Sequence, residues 1–338
     1  MLILEPRGHV GMYGAILRPS TELVSAGEAD MGVLFLTNEG YSTMCGHASI
    51  ALGRFLVDCH DETVFPRREM LEYDQATRTV KVRLHAPCGL VVLTVPTTDS
   101  GRTSDPSRPV SFLSVPSFAS GLDVKIPIPP HLRWPELQGD SVAMNIAYGG
   151  AFYALVRASD LGLPNVFANL ATQLTTVSEA TKRLKQTIVN DANARKLIEH
   201  PEHDDLSFLY SVLVVDDSVD IKASGSELGL CFFGDQQIDR SPTGSAVAAR
   251  VAAAHAKGER DIGRSWTYDS IVSRAMGKGH FTGTPEATTV LKMRAGEELG
   301  AVVVKVEGYA FYTGFHEFVR EEGDSIESGF LLERLVGS

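Results

Sequence analysis

Two short stretches 198 residues apart open two helices in the same way: Cys45-Gly46-His47-Ala48 and Thr243-Gly244-Ser245-Ala246. Each sets a nucleophile-type side chain before a glycine and a helix of small residues. A chain that repeats such a start in both halves is constrained to build two similar units whose helix ends can share one ligand. Glycine lets the backbone come close to that ligand, and the unpaired N–H groups of two facing helix ends make a cradle for an anion such as a carboxylate. Read singly, Ser241 and Thr243 are also good N-caps of a well-packed helix. Capping accounts for one start and not for its repetition.

The first helix follows from Ile50, Ala51, Leu52, Phe55, Leu56 and Val57, apolar at three-and-four spacing after Gly46. Cys45 stands at its N-terminal edge, where the helix dipole and free N–H groups favour thiolate over thiol, the setting of a reactive cysteine. The competing reading is a free cysteine acting as a small buried hydrophobe. The second helix runs through an Ala/Val series to a stop at Gly258. Strand-like runs lie at 33–36, 79–84, 89–95, 208–215, 230–233, 288–293 and 301–306, with two more around 141–158. An exposed loop is expected over 96–109, a surface helix over 175–200, and a tail at 329–337 apolar enough to pack back. Strands outnumber helices and each half has one dominant buried helix, so the fold class is α/β with two similar domains.

The net charge of −11, with no basic run to offset it, argues against a nucleic acid or an anionic membrane as partner and leaves small molecules as ligands. The four cysteines, Cys45, Cys59, Cys88 and Cys231, form no CxxC pair and no disulfide-rich spacing, which reads as reduced thiols in a cytosol and argues against zinc. No apolar run reaches the roughly 18 to 20 residues of a membrane span, and the N-terminus is too soon polar for a signal peptide, so a soluble, cytoplasmic protein is expected.

EPRGHVGMYGAIL (5–17), NEGYSTMCGHASIALGRF (38–55), AYGGAFYALV (147–156), DRSPTGSAVAAR (239–250) and GYAFYTG (308–314) together resemble the proline racemase family across nearly the whole chain, in the family's order. The resemblance implies a diaminopimelate epimerase-like fold: two domains, each a curved, mainly antiparallel sheet around a central helix, with the site between the helix starts. It places the first domain at 1–138 with the tail from about 318 to 338 packed on it, and the second at 139–317. A homodimer is an assembly the resemblance allows.

Racemases and 4-hydroxyproline epimerases of this family use two cysteines on opposite faces of the α-carbon. Here Cys45 is kept and Thr243 stands at the second position, which resembles the branch that dehydrates trans-3-hydroxy-L-proline. A threonine hydroxyl is too weak an acid to exchange α-protons near neutral pH, whereas elimination needs one base only. The implied reaction is loss of water to give Δ1-pyrroline-2-carboxylate. The resemblance implies that the backbone N–H groups of Gly46, His47, Gly244 and Ser245 hold the substrate carboxylate and that Asp239 accepts a hydrogen bond from the ring ammonium. Cys45, Thr243 and His47 are the candidate catalytic residues. His47 is open between orienting the thiolate, protonating the leaving hydroxyl and capping the helix. Thr243 is open between bonding that hydroxyl and filling the space of a thiol. No metal and no cofactor is implied, and no phosphate-binding glycine loop or metal-ligand spacing suggests one. Proline or 4-hydroxyproline isomerisation is the alternative reaction, and an inactive imino-acid-binding relative the alternative class.

Cys59, Cys88 and Cys231 match no catalytic position and read as packing residues. Two positions depart from the family pattern: Gly11, where an acidic residue is expected, and Asn145, where an aspartate is usual before IAYGG. The family's opening strand and a segment resembling HTGGxPxR normally precede EPRGH. Either the sequence is truncated ahead of Met1 or the first domain is built without that strand, and the second case predicts an open sheet edge or an open part of the pocket.

Overall fold

A computed structural model describes residues 2–98, 100–218, 225–294, 296–332 and 335. Position 99 of the expected loop and positions 333, 334 and 336–337 of the expected tail lie outside them. In the first half the strands are β1 (Gly14–Arg18), β2 (Met31–Thr37), β3 (Gly40–Ser42), β4 (Tyr73–Asp74), β5 (Thr79–Ala86), β6 (Gly89–Pro96), β7 (Val110–Leu113) and β8 (Phe118–Pro127). In the second they are β9 (Ser141–Tyr148), β10 (Phe152–Arg157), β11 (Leu209–Val215), β12 (Ser226–Phe233), β13 (Gln237–Ile238), β14 (Trp266–Asp269), β15 (Phe281–Lys292) and β16 (Glu298–Gly308). The helices are α1 (Glu22–Ser25), α2 (Gly46–Asp58), α3 (Leu170–Asn190), α4 (Ala192–Lys196), α5 (Gly244–Ala256) and α6 (Ile271–Met276).

Hydrogen bonding runs β1-β2-β5-β6-β7-β16-β15-β14-β12-β11-β10-β9-β8, so one curved, mainly antiparallel surface winds around both central helices. Three of its pairs, β2/β5, β10/β11 and β12/β14, are parallel. β1 is the first strand of this order, paired with β2 alone. β12 passes from one part of the surface to the other: Ser226–Leu228 pair with β14, and Gly229–Phe233 with β11.

The strand pattern explains how α2 is held. In β5, Val80, Val82, Leu84 and Ala86 are buried in alternation, and in β6 Val91, Leu93 and Val95 are. α2 sets Ile50, Leu56 and Val57 into this cover, and a Cβ on Gly53 would come within 3.0 Å of Val95 and 3.1 Å of Leu93. α5 differs because strands pack on it from several sides: β8, β9, β10, β15 and β16 all contact it. Every residue from Gly244 to Ala253 is buried, which is why the helix is mostly alanine, with the buried Arg250 paired to Glu227 and Ser245 to Tyr153. Gly149 lets the β9–β10 turn lie against the first turns of α5, where a Cβ would stand 2.2 Å from the Ser245 carbonyl oxygen.

The expected helix over 175–200 begins earlier and ends earlier. α3 starts at Leu170, Ser178 lies inside it, and Asp191 ends it while accepting the Asn193 and Ala194 N–H groups that open α4. The helical spacing of Val177, Ala180, Leu184 and Ile188 holds, since these residues form the buried face of α3. The runs 288–293 and 301–306 are the middles of the long β15–β16 ladder, and the tail returns to the start of the chain through Phe330, bridged to Glu5.

The tightest joint is between the two central helices. A Cβ on Gly46 would lie 2.6 Å from the Gly244 Cα, and one on Gly244 would lie 2.8 Å from the Gly46 Cα, with the Phe112 ring against both. Alanine in a helix is ordinarily favoured over glycine by about 0.5–1 kcal/mol, but overpacking costs about 1–3 kcal/mol. Gly46→Ala is therefore expected to lower stability by about 2 kcal/mol in urea unfolding; a variant as stable as the parent would mean that the joint is loose.

His200 gives the fold a pH dependence. It is 6% exposed, lies edge-on to Tyr148 at 4.8 Å, and its Nδ1 accepts the Glu202 and His203 N–H groups. Burial, helped by nearby His203, lowers its pKa to about 4. Unfolding restores an ordinary imidazole, so the stability held in its neutral form is complete above about pH 6.5 and is lost as pH falls toward 4. The expected loss for this group between pH 7 and pH 5 is about 2 kcal/mol. His200→Asn keeps an acceptor and should flatten that part of the profile; an unchanged slope would assign the acid sensitivity elsewhere.

Candidate active site

The first turns of α2 and the turn that leads into α5 border a cavity of about 400 Å3. Cys45, His47, Ala48, Ala51 and Leu52 line it from α2, Asp239, Arg240 and Ser241 from the turn before α5, and Gly11, Tyr13, Gly14 and Ala15 from the segment entering β1. Phe233 and Ile238 complete its apolar wall. The size suits a small molecule.

Cys45 is the N-cap of α2, in extended backbone geometry, with its Sγ accepting the Ala48 N–H at 3.4 Å. The His47 backbone and the Tyr13 hydroxyl act on its pKa in the same direction. These donors favour the thiolate, as the sequence led us to expect, but they do not prevail: burial pushes the thiol up to about 12, and the Asp239 carboxylate adds to the rise.

Thr243 occupies the equivalent place on α5 but is built differently. Its φ of +61° puts a β-branched residue in the left-handed region, a conformation that persists only where its surroundings enforce it. Here Thr243 N–H donates to Ser241 Oγ at 3.2 Å, Thr243 Oγ1 donates to Asp239 Oδ2 at 2.8 Å, and Ser241 N–H donates to Asp239 Oδ1 at 2.7 Å. Thr243 makes no side-chain cap to its own helix, so the capping reading is not met at this residue. Asp239 is tied to the α5 start, half-buried and facing the cavity.

Gly46 and Gly244 meet at the joint described above. Ser245, fully buried, hydrogen-bonds Tyr153 at 2.7 Å between the two hydroxyls. By helix geometry the first N–H groups of α2 and α5 lack intrahelical partners, and two such ends converge here. His47 brings its backbone to Cys45, while its exposed ring lies edge-on to Phe281 at 6.1 Å.

Several residues near the site were not singled out from the sequence. The Tyr13 hydroxyl lies 3.4 Å from that of Tyr210, and Tyr13, Tyr210 and Phe233 form one aromatic cluster. Cys231 is buried as expected, with the Ser211 hydroxyl 3.0 Å from its sulfur. The order MYG before a strand was visible, but nothing in it pairs Tyr13 with a residue 197 positions away. At Gly11 a Cβ would collide with the Arg240 guanidinium, whose Nη1 donates to the Gly11 carbonyl at 2.9 Å. The missing acidic side chain is thus replaced by an arginine filling the space. Asn145 is remote from this cavity; its Oδ1 accepts the Asp123 N–H, and it lines a separate cavity at the C-terminal end of α5. Among the described residues no group of three or more His, Cys, Asp or Glu is placed to hold a metal ion, and no helix is long and apolar enough to cross a membrane.

A family model described as Proline racemase matches residues 1–331. A human protein named trans-3-hydroxy-L-proline dehydratase is 39% identical over 332 residues, covering 98% of this chain and 82% of its own length. The orangutan (Pongo abelii) protein named trans-L-3-hydroxyproline dehydratase is 40% identical with the same coverage. Among solved structures, a hydroxyproline epimerase from Agrobacterium vitis with bound trans-4-hydroxy-L-proline superposes with a TM-score of 0.73 at 26% identity, over 98% of this chain and 81% of that one. A probable proline racemase from Agrobacterium radiobacter K84 has the same fold, with a TM-score of 0.74 at 24% identity over 100% and 84% of the two chains. With its two helix starts meeting at paired glycines and its match running from end to end of the described sheet, the chain belongs to the proline racemase family.

Proposed function

We propose that the protein dehydrates trans-3-hydroxy-L-proline to Δ1-pyrroline-2-carboxylate without a cofactor, with Cys45 as the base. The observation that carries this reading is the unequal pair of helix starts: a thiol at α2, and at α5 a threonine whose proton is committed to Asp239. The relatives named as dehydratases support the substrate.

The substrate carboxylate is taken by the free N–H groups of Gly46, His47, Gly244 and Ser245, and the ring ammonium by Asp239. That ammonium offsets the carboxylate charge that helps keep Cys45 protonated, so ligand binding itself favours the thiolate. The thiolate removes the α-proton, the charge developing toward the carboxylate is met by the two helix ends, and the C3–O bond breaks. The enamine left behind tautomerises to the cyclic imine. Thr243 holds Asp239 in position. A cytoplasmic homodimer goes with the same reading, on the family resemblance.

Racemisation or epimerisation would need a second acid–base group across the α-carbon. The next thiol, Cys231, is 3% exposed, hydrogen-bonded to Ser211, and pushed up to about 12 by burial. It is poorly placed to serve.

The test is proton NMR in D2O with trans-3-hydroxy-L-proline, L-proline and trans-4-hydroxy-L-proline in separate tubes. The expected outcome is conversion of the first to the imine with the other two unchanged. Inversion of either would restore the isomerase reading, and ligand-induced thermal stabilisation without product would identify a binding protein. Cys45→Ser should lower turnover at least about a thousandfold, because a serine hydroxyl is a far poorer base; retained turnover would remove Cys45 from the mechanism.

The raised thiol can be checked without substrate. Iodoacetamide labelling of Cys45, followed by peptide mass spectrometry, should be slow at neutral pH and quicken about tenfold per pH unit from 7 to 9. A rate already at its plateau at pH 7 would show a thiolate in the free protein.

A further inference from the structure

We propose that Tyr13 is the acid that protonates the departing 3-hydroxyl, on the Cys45 side of the substrate, and that Tyr210 is the positioning residue that holds its hydroxyl there. The inference rests on the dehydratase reading above and deepens it.

Stereochemistry limits where the acid can stand. In trans-3-hydroxy-L-proline the hydroxyl and the carboxylate lie on opposite faces of the ring, so the hydroxyl and the α-hydrogen share one face. The base that takes this hydrogen therefore stands on the leaving group's own side, and a proton donor to the hydroxyl must stand there too. Thr243 belongs to the other helix start, and its proton is already given to Asp239 Oδ2. The His47 ring is turned to Phe281. Tyr13 lines the cavity together with Cys45 and has a second hydroxyl, that of Tyr210, 3.4 Å away.

The aromatic packing fixes this arrangement. Tyr13 lies edge-on to Phe233 at 5.9 Å, Tyr210 stacks on the same ring at 6.3 Å, and Tyr153 meets Tyr210 edge-on at 5.8 Å while its own hydroxyl holds Ser245 at the α5 start. Burial, and after it the nearby Cys45, raises the Tyr13 phenol well above its ordinary value, so it is protonated at any working pH.

The proton count closes within this pair. The Cys45 thiolate takes the α-proton, and the freed electron pair forms the C2–C3 double bond as the C3–O bond breaks. The departing oxygen takes the Tyr13 proton and leaves as water. The proton that Cys45 carries in the free protein leaves to solvent as the substrate binds, so the cycle starts from the thiolate; at its end the Cys45 thiol returns its proton to the Tyr13 phenolate, restoring thiolate and phenol.

The experiment compares Tyr13→Phe with the parent on two substrates: trans-3-hydroxy-L-proline, and trans-3-fluoro-L-proline, whose fluoride leaves without needing a proton. The expected result is a fall of about 10²- to 10³-fold in kcat on the hydroxy substrate, with fluoride elimination kept within about threefold. Tyr210→Phe should show the same selectivity at smaller size, and it carries the comparison by itself if Tyr13→Phe does not fold. Equal losses on both substrates would overturn the proposal, since Tyr13 would then serve only the thiolate; so would unchanged rates on both. A parent protein inert toward trans-3-hydroxy-L-proline would instead overturn the dehydratase reading, and the acid assignment with it.

Discussion

The fold is arranged around a contact that would ordinarily be avoided. Two helix N-termini, each carrying the positive end of a peptide dipole, are pressed together through Gly46 and Gly244 with no side chain between them. Like ends repel, so the joint depends on what surrounds it: β7 and β16 run side by side across it, and the Phe112 ring packs on both glycines. The same repulsion makes the joint receptive, because an anion placed between the ends relieves it. The site is in this sense the place where the packing is least content without a ligand.

Beyond that joint the two starts are chemically unequal. α2 begins from an ordinary extended cap, with a sulfur facing the cavity. α5 begins from a left-handed threonine held by Asp239 and Ser241. The hydroxyl at 243 thus does structural work that a thiol, a weak donor, would do poorly. The residue that removes the second base also fixes the carboxylate expected to receive the ring ammonium.

Much of this was legible in the sequence, and the reasons are specific. The repeated nucleophile-Gly start pointed to both central helices and their facing ends, and the β-branched runs 79–84 and 89–95 pointed to β5 and β6, because these signals are local. Three things were not legible. The true start of α3 was hidden because its first turns, from Leu170 on, are largely polar and carry little apolar periodicity. The raised Cys45 thiol comes from burial in the fold and from the Asp239 carboxylate, in the other half of the chain. The Tyr13–Tyr210–Phe233 cluster joins residues from the two halves of the chain, and no spacing rule links them. The departures at Gly11 and Asn145, which looked alike in sequence, separate in space: one is at the cavity wall and the other belongs to a different cavity.

The course of β12 bears on how ligands reach the cavity. Because one strand is laddered to β14 at its start and to β11 at its end, swinging the two halves apart would shear hydrogen bonds on both, each worth about 1 kcal/mol net. The wall formed by residues 11–15 is fastened more lightly at its leading end, by Arg240 to the Gly11 carbonyl and by Asn38 to the Val10 carbonyl. Traffic between the site and solvent therefore has its cheapest route past that wall, and the arginine that took the place of an acidic side chain becomes the latch on the door.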